Sequence, residues 1–502
     1  MSEKKLFAID LGASGGKCFV GFFSDKSFRM EEVHRFSHEG VSFFGADRTG
    51  EITERTHWDD TYIYQNIVKG LQAAKRQFGP HLDGIGIDTW GADGHFLTKD
   101  GDTIGKVYCY RDHRLDTMCD EVKGRLNAER VYAITGNHFQ PFNQSNQMLW
   151  AATRRPELLK LASIYLPVPA LFYYYLGGCT AIDSTFASVT QMMDAKKGKW
   201  SSEMLKALGI KKSLMPAIVK PGTKIGKLHA KLAESIGINE VDLIAIGSHD
   251  TASAFAAAPV KDTKKSLIIS SGTWSLVGKL IRKPITTPDA MSFGLSNEGG
   301  IGNTRFLRNC MGTWIIQELL RVWEIADGKR MEWKEVDSIT PAAPAFTAFI
   351  DPDDKRFYNP KNMEDAIRSF ISETGQAAPQ DRGVILRCVY ESLALKYRFV
   401  NETINRVTDT TTEAVHIVGG GSKNPMLNQF TANSIGVPVL AGPMEATAVG
   451  NLMVQAIGAG IIPDLKTAMP LIKSAFPIAT FKPENTEAWS TAYARFTKLL
   501  SR

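Results

Sequence analysis

Two glycine-rich turns, each between two apolar runs, constrain the fold of this chain more than any other feature. The first lies within residues 7–20 (FAIDLGASGGKCFV) and the second within residues 267–278 (LIISSGTWSLVG). β-Branched and aromatic residues favour extended strands and glycines allow tight turns, so each segment is predicted to form a β-hairpin. Backbone N–H groups and small hydroxyls at such turns suit a bound phosphate. Two of them indicate two related halves that bind one polyphosphate.

The length of the chain and the alternation of its elements predict two α/β domains. At 502 residues, the chain exceeds the size at which a single hydrophobic core stops growing. We expect an N-terminal domain at residues 1–250 and a C-terminal domain at residues 251–502, with a hinge near residues 250–260. Apolar spacing predicts helices at residues 62–78, 252–258, 311–325, 384–406 and 425–435. Short apolar runs predict strands at residues 82–88, 243–247 and 415–418.

Composition and hydropathy argue against several classes of partner. The net charge of +6 comes from 59 basic and 53 acidic residues that form no clustered basic patch, so no nucleic acid is expected. Residues 161–178 are strongly apolar, but Pro167 and Pro169 interrupt them, and a buried strand followed by a helix is predicted rather than a membrane span. Asp10 interrupts the first apolar stretch, so no signal peptide is expected. With six scattered cysteines, a cytoplasmic location is predicted.

Asp10 is a candidate metal ligand because it ends an apolar strand directly before the first turn. Mg²⁺ at a phosphoryl-transfer site takes only one or two carboxylates and keeps several waters. The alternative is an aspartate that caps its own turn. Residues 12–18 do not form a Walker A loop, since the glycine spacing is one residue short and no Ser or Thr follows Lys17.

Asp250 is the candidate catalytic base. It follows a buried strand in the cluster Ser-His-Asp-Thr (248–251), and transfer of a phosphoryl group to a hydroxyl needs a carboxylate to take the proton. Alternatively, Asp250 caps the helix that follows it.

Three glycines at residues 419–421 end a predicted strand and precede a helix, so a flat ring such as adenine could lie against the bare backbone. Asn424 would either cap that helix or hydrogen-bond the base. A plain strand-to-helix turn is an equal alternative for the glycines.

Nine segments together resemble the FGGY family of carbohydrate kinases, whose fold is shared with actin, hexokinase and the heat-shock ATPases. In chain order they are AIDLGASGGK (8–17), GIDTWGAD (86–93), YRDHR (110–114), GSHDTASA (247–254), SSGTWSLVG (270–278), NEGG (297–300), RNCMGTWIIQE (308–318), HIVGGGSKN (416–424) and AGPMEATAVGN (441–451). The resemblance spans nearly the whole chain. It implies two actin-like (ribonuclease H-like) α/β domains with an interdomain cleft, and ATP and Mg²⁺ as cofactors.

The resemblance also implies roles for individual residues. Asp250 would deprotonate the sugar hydroxyl. The sugar contacts would come from Gly91, His249, Thr251 and Asn309. The nucleotide contacts would come from Ala13, Ser14, Gly15, Gly16, Lys17, Thr273, Gln317, Gly420 and Gly421.

The activity implied is ATP-dependent phosphorylation of O1 of a 6-deoxyketose, with L-rhamnulose favoured and L-fuculose as the alternative. Residues 92–95 (Ala-Asp-Gly-His) replace the Val-Asp-Phe expected of relatives that act on rhamnulose, and Gly94 is similar to the Val-Asp-Gly of those that act on fuculose. A third hypothesis is a non-catalytic actin-like ATPase scaffold, which Asp250 beside His249 and Thr251 disfavours. A monomer or a homodimer is expected.

Overall fold

Both predicted hairpins are present. The computed structural model describes residues 3–24, 27–46 and 50–500. Within them, Lys4–Gly12 pairs antiparallel with Gly15–Phe23, and Ser266–Ser271 pairs antiparallel with Trp274–Ile281. The two glycine-rich turns therefore do connect adjacent strands, as predicted.

The strands and helices alternate along most of the described chain. The strands are β1 (Lys4–Gly12), β2 (Gly15–Phe23), β3 (Phe28–Ser37), β4 (Gly40–Ala46), β5 (Ile52–Trp58), β6 (Gly84–Thr89), β7 (Gly94–Leu97), β8 (Ile164–Pro167), β9 (Ile182–Asp183), β10 (Met193–Asp194), β11 (Lys199–Trp200), β12 (Ile218–Val219), β13 (Thr223–Lys227), β14 (Asp242–Ala245), β15 (Ser266–Ser271), β16 (Trp274–Ile281), β17 (Ser296–Gly299), β18 (Thr304–Met311), β19 (Ala414–Val418), β20 (Val439–Ala441) and β21 (Ala479–Phe481).

The α-helices are α1 (Asp60–Phe78), α2 (Met118–Arg125), α3 (Ala128–Thr135), α4 (Gln144–Arg154), α5 (Pro156–Leu161), α6 (Val168–Gly177), α7 (Ser184–Val189), α8 (Ser202–Leu208), α9 (Ala230–Ile236), α10 (Asp250–Ala257), α11 (Pro288–Ser292), α12 (Trp314–Asp327), α13 (Trp333–Ala342), α14 (Met363–Glu373), α15 (Arg382–Thr408), α16 (Pro425–Ile435), α17 (Ala446–Gly458), α18 (Leu465–Ala475) and α19 (Thr486–Leu500). Short 3₁₀ helices lie at His113–Leu115, Lys212–Leu214, Lys355–Phe357 and Gly420–Lys423.

The two large sheets are built on the same plan. One has six strands in the order β13-β14-β6-β1-β2-β3, and the other has seven in the order β17-β18-β16-β15-β19-β20-β21. In the first sheet, β1 runs antiparallel to its hairpin partner and parallel to β6. In the second, β15 runs antiparallel to its hairpin partner and parallel to β19. Each hairpin thus adjoins a parallel strand that arrives after a helical crossover.

The chain divides into two compact units, and neither is a single stretch of sequence. The first comprises Met1–Ala257, Leu280–Phe306 and Ala446–Ala475; the second comprises Ala258–Lys279, Leu307–Glu445 and Phe476–Arg502. A division of the chain at residue 250 assigns residues 280–306 and 446–475 to the C-terminal half, whereas their contacts place them in the first unit.

Helix α17 shows why a late segment belongs to the first unit. Asn451 donates its amide N–H to the Gly86 carbonyl oxygen (3.2 Å) and to Asp88 (2.6 Å). Gln455, one turn later, donates to the Phe7 carbonyl oxygen at 3.0 Å. Because buried backbone and carboxylate groups need hydrogen-bond partners, these two amides hold α17 against β1 and β6.

The predicted helices and strands match the structure to within a few residues. Helix α1 is typical: Asp59 caps it by accepting the Tyr62 N–H at 2.9 Å, its apolar positions Ile63, Ile67 and Leu71 are buried, and it ends at Phe78.

The apolar run at 161–178 forms strand β8 and helix α6, as predicted. Among the described residues, no helix has both the length and the apolar character needed to cross a membrane.

Gly450 allows α17 and α10 to approach backbone to backbone. A Cβ at this position would overlap the carbonyl group of Ser253 in α10. We expect Gly450→Ala to lower the free energy of unfolding by about 3 kcal/mol, because neither backbone can move away without breaking its own helix.

The matched control is Gly124→Ala in α2, where a Cβ would have no neighbour within 4 Å. This change should raise the stability slightly, by about 0.5–1 kcal/mol, since alanine loses less conformational entropy on folding. Urea denaturation of both variants measures the difference. Equal stabilities would show that the helix crossing tolerates a methyl group.

Candidate functional site

Asp10 and Asp88 lie side by side on neighbouring strands of the first unit. They are paired in the register of the parallel strands β1 and β6, and Asp10 also pairs across the hairpin with Lys17. Asp88 is fully buried. Burial, together with the negative charge of Asp10 and, more weakly, of Asp250, raises the pKa of Asp88 well above its usual value.

This group of carboxylates fits a divalent cation. Asp88 accepts the Asn451 amide on Oδ2, while its buried Oδ1 has no hydrogen-bond partner among the described residues. A nearby cation would relieve the repulsion that disfavours the charged form of Asp88. Oxygen donors are also the ligands that Mg²⁺ prefers. The donor set is therefore compatible with the metal role predicted for Asp10.

Asp250 is the first residue of α10 and is positioned by its neighbours. Its Oδ1 accepts hydrogen bonds from the Thr251 backbone N–H (2.5 Å) and the Thr251 hydroxyl (3.1 Å). The side chain is one-third exposed, so a ligand can reach it. Helix α10 begins at Asp250 itself, and the described bonds of its carboxylate are to the adjacent Thr251 rather than to an N–H of the next turn.

His249 lies between Asp250, the predicted base, and Gly91, a predicted sugar contact in the loop that follows β6. Its Nε2 lies 3.3 Å from Asp250 Oδ1. A Cβ on Gly91 would lie 2.5 Å from the same Nε2, so only glycine leaves room for the imidazole there. The backbone N–H of Thr89 donates to the Ser248 carbonyl oxygen at 2.8 Å, which ties the two loops together. The structure thus brings Gly91, His249, Asp250 and Thr251 into one place.

Two charged residues to which the sequence analysis assigned no role face the other side of the His249 ring: Arg305, and Glu298 of the NEGG segment (297–300). Arg305 Nη2 lies 3.1 Å from His249 Nδ1, and Arg305 Nη1 forms an ion pair with Glu298 at 3.0 Å. Burial acts to raise the pKa of Glu298, but the charge of Arg305 and the proximity of His249 outweigh it, so its pKa lies below the usual value. No local signal marks Arg305, because β18 (TRFLRNCM) also carries Arg308 and Asn309.

Asp93 organises the loop that follows β6. It is fully buried with a positive φ of 72°. Its Oδ2 accepts the Trp58 indole N–H (2.7 Å), the Trp90 indole N–H (3.0 Å) and the Tyr110 backbone N–H (3.1 Å). Its Oδ1 accepts the Gln147 amide at 3.0 Å. With four donors bound, the Asp93 carboxylate fixes the conformation of the loop that follows β6.

The turn of the first hairpin is shaped by β3. A Cβ on Gly15 would lie 2.7 Å from the Phe36 carbonyl oxygen, and a Cβ on Gly16 would overlap the Phe36 ring. Ala13 and Ser14 form the turn itself, with Ser14 exposed. The two glycines are thus required by strand packing, and their nucleotide role stays a prediction, as do those of Ala13, Ser14 and Lys17.

The turn of the second hairpin lies in the second unit and is held by the start of α12. The Gly312 N–H donates to the Thr273 carbonyl oxygen and the Thr313 N–H to the Gly272 carbonyl oxygen, both at 3.0 Å. Gln317 follows on α12, exposed, with its amide 3.3 Å from the Thr313 hydroxyl. The structure therefore places two of the predicted nucleotide residues, Thr273 and Gln317, on adjoining segments.

The triple glycine leads into the 3₁₀ helix Gly420–Lys423 at the end of β19. Gly420 has open space around its Cα, whereas a Cβ on Gly421 would overlap the Ser271 hydroxyl. Gly421 is thus required by packing against β15, and Gly420 offers bare backbone.

Asn424 caps a helix, one of the two roles considered for it. Its Oδ1 accepts the Leu427 N–H at 2.8 Å at the start of α16, and its Nδ2 donates to the Tyr390 hydroxyl at 3.0 Å. Both polar ends of the side chain already have partners within the second unit.

Asn309, also in the second unit, has the opposite character. Its side-chain Oδ1 is buried without a hydrogen-bond partner among the described residues, whereas most buried polar atoms have one. The adjacent Arg308 pairs with Asp353 at 3.1 Å, and Lys396 pairs with the same carboxylate at 2.9 Å. Arg308 therefore belongs to a structural ion cluster.

Comparisons with known proteins identify the family. The chain matches the model of the N-terminal domain of the FGGY family of carbohydrate kinases over residues 7–256 and that of the C-terminal domain over residues 267–459. It is 36% identical to a rhamnulokinase from Bacteroides thetaiotaomicron over 98% of this chain and 99% of that protein. It is 34% identical to a rhamnulokinase from Bacillus subtilis over 96% of each chain.

Solved structures share the fold. The crystal structure of gluconate kinase from Lactobacillus acidophilus matches with a TM-score of 0.82 at 16% identity, over 100% of this chain and 98% of that chain. Plasmodium falciparum glycerol kinase with ADP matches with a TM-score of 0.78 at 15% identity, over 99% and 98%. These matches confirm the predicted class of two actin-like α/β domains.

The substitution Asp93→Asn tests the organising role of this carboxylate. Asparagine keeps the side-chain shape and tolerates the positive φ, but its amide NH₂ faces donors where an oxygen accepted them. We expect a loss of about 2 kcal/mol or more of stability, measured as the shift of the urea unfolding midpoint.

The control is Asp409→Asn, which has a φ of 49° at the exposed C-terminal end of α15. It should leave the midpoint unchanged. A similar small effect at both positions would contradict the interpretation of Asp93 as the centre of the loop.

Proposed function

This chain belongs to the FGGY family of carbohydrate kinases, and from that membership we propose that it transfers the γ-phosphoryl group of ATP to O1 of L-rhamnulose. As a family member it is a phosphotransferase with an alcohol group as acceptor. The names of its relatives favour L-rhamnulose over L-fuculose. A non-catalytic scaffold would not need a partly exposed carboxylate beside a buried histidine.

The observation that carries this proposal is the environment of Asp250. In the transfer, O1 of the ketose bonds to the γ-phosphorus, the bond from phosphorus to the ADP oxygen breaks, and the hydroxyl proton moves to a carboxylate. Asp250 is exposed enough to meet the hydroxyl and is held on one oxygen by Thr251. A fixed carboxylate can act as a base without first being ordered.

Mg²⁺ fits this reaction through Asp10. We propose that Asp10 holds the cation, directly or through water, and that the bound cation would favour the charged form of Asp88, whose pKa is otherwise raised. When bound, the cation supplies neutralisation of the phosphate charge.

The remaining roles are proposals of the same kind. We assign sugar contacts to Gly91, His249, Thr251 and Asn309, supported by the unpartnered oxygen of Asn309. We assign nucleotide contacts to residues 13–17, Thr273, Gln317, Gly420, Gly421 and Asn424, although the polar groups of Asn424 already have internal partners. The free thiols and the use of ATP support a cytoplasmic enzyme, either monomeric or homodimeric.

The substrate is tested by ADP release from ATP and Mg²⁺ with L-rhamnulose, L-fuculose, L-ribulose, xylulose and glycerol. We expect kcat/KM for L-rhamnulose to exceed the others by at least about tenfold, or roughly 1.4 kcal/mol of transition-state preference. A preference for L-fuculose would keep the chemistry and overturn the substrate. No stimulation by any of them would favour the scaffold.

Asp250→Asn tests the base. The amide keeps the shape but cannot take the proton, so kcat should fall by at least about 10²-fold while ATP binding, measured by calorimetry, stays within a factor of about two. The control Asp100→Asn, at an exposed turn, should keep full activity. Equal loss of ATP binding and turnover would contradict the role of Asp250.

A further inference from the structure

Arg305 is a buried cation with a fixed position. Its side chain is 0% exposed, and the Glu298 side chain that pairs with it is 6% exposed. Its Nε donates to the Gly299 carbonyl oxygen at 2.9 Å, and the guanidinium faces the Phe255 ring. A buried guanidinium needs a counter-ion and hydrogen-bond acceptors; here Glu298 supplies the counter-ion and the Gly299 carbonyl oxygen supplies an acceptor. The remaining Nη2 group points at His249.

The contact with Arg305 determines which nitrogen of His249 carries a proton. A guanidinium only donates hydrogen bonds, so His249 Nδ1, 3.1 Å from Nη2, must be the acceptor. The Glu298 oxygen lies farther from the same nitrogen, at 3.4 Å, so Arg305 is its closer partner. With Nδ1 as the acceptor, the ring proton lies on Nε2, which faces Asp250 Oδ1 at 3.3 Å.

The ring cannot easily turn away from this arrangement. Its Nε2 edge lies against Gly91, where even a Cβ would be only 2.5 Å away, and its backbone N–H is 3.5 Å from the Thr185 hydroxyl. His249 is 7% exposed. The ring nitrogen beside Asp250 is therefore held on the buried side of the site.

All the hydrogen bonds and ion pairs of Asp250 with the described residues fall on one oxygen. Oδ1 accepts the Thr251 N–H and the Thr251 hydroxyl, and His249 Nε2 lies 3.3 Å from the same oxygen. An oxygen with several donors is a poorer proton acceptor than its partner. Oδ2 is consequently the oxygen that is left to meet the hydroxyl of the substrate.

We propose that Arg305, anchored by Glu298, is a positioning residue that acts through His249 to hold the carboxylate of Asp250 with Oδ2 toward the acceptor hydroxyl. The inference rests on the proposed function of Asp250 as the base. It assigns to Glu298 and Arg305 a part in the reaction that is exerted through His249.

The first test is the tautomer of His249 in the wild-type enzyme. ¹⁵N NMR of histidine-labelled protein, with the signal assigned by its loss in His249→Gln, should show the proton on Nε2. In Arg305→Met the donor to Nδ1 is gone, and a mixture of tautomers is expected. A proton on Nδ1 in the wild-type enzyme would overturn the proposal whatever the activity, so this measurement stands even where a variant fails to fold.

The second test is a double-mutant cycle on kcat. Arg305→Met should lower kcat by about 10²-fold, with KM for the ketose and for ATP changed by less than about threefold. Arg305→Lys, which keeps a donor, should recover part of the loss. In a His249→Gln background, Arg305→Met should change kcat little further, since the imidazole through which Arg305 acts on Asp250 is already absent.

The matched control is Arg387→Met, which removes another Arg–Glu pair, with Glu391 at 2.8 Å. Its effect should be the same in the wild-type and His249→Gln backgrounds, as for any purely structural change. If the effects of Arg305→Met and His249→Gln on kcat are additive, the proposal that Arg305 acts through His249 is overturned, while Asp250 can still be the base. A wild-type enzyme inactive on every ketose would instead remove the proposed function, and the tautomer would still decide the arrangement.

Discussion

The backbone contact between α10 and α17 is the constraint on which the site in the first unit depends. Gly450 lets the second helix lie directly on Ser253, one turn after the start of α10. That contact fixes the end of the helix from which Asp250 projects. The next residue of the other helix, Asn451, reaches Asp88 at 2.6 Å. A single glycine thus sets the position of the carboxylate that we propose as the base and supports its acidic neighbour.

In the first unit, His249 separates the carboxylate of Asp250 from the buried guanidinium of Arg305. Burial and the negative charges of Asp10 and Asp250 raise the pKa of Asp88. On the far side of the histidine, Arg305 and Glu298 neutralise each other at 3.0 Å. Burying a matched ion pair costs less free energy than burying either ion alone. Arg305, paired with Glu298, can therefore lie near Asp250, the proposed base, without forming an ion pair with it.

The fold was predictable from the sequence because its signals are local. Each hairpin, and helices such as α16 (Pro425–Ile435), follow from apolar spacing and glycines within a few residues. The motif residues Gly91, His249 and Asp250 were predicted together and do lie together. The comparisons then confirm the family that the motifs resemble.

The rest was not predictable, because it depends on contacts between distant parts of the chain. The separation of Arg305 from His249 by 56 residues, and of Asn451 from Asp88 by 363, leaves no local pattern. Asp93 belongs to one of the nine motif segments (86–93), and in the structure four donors enclose it. Neither composition nor spacing reveals whether a polar side chain faces a ligand or its own fold.

The discontinuous first unit also dictates an order of events during synthesis on the ribosome. Strands β1 and β6 leave the exit tunnel early, but α17, which covers them, lies in the last segment of that unit, Ala446–Ala475. Until that segment emerges, the Asp88 carboxylate lacks Asn451 and an apolar face of the sheet stays open to water. Nascent chains with such exposed surface are the substrates of chaperones. A chain whose translation stops before residue 446 is therefore expected to aggregate rather than to fold into a complete first unit.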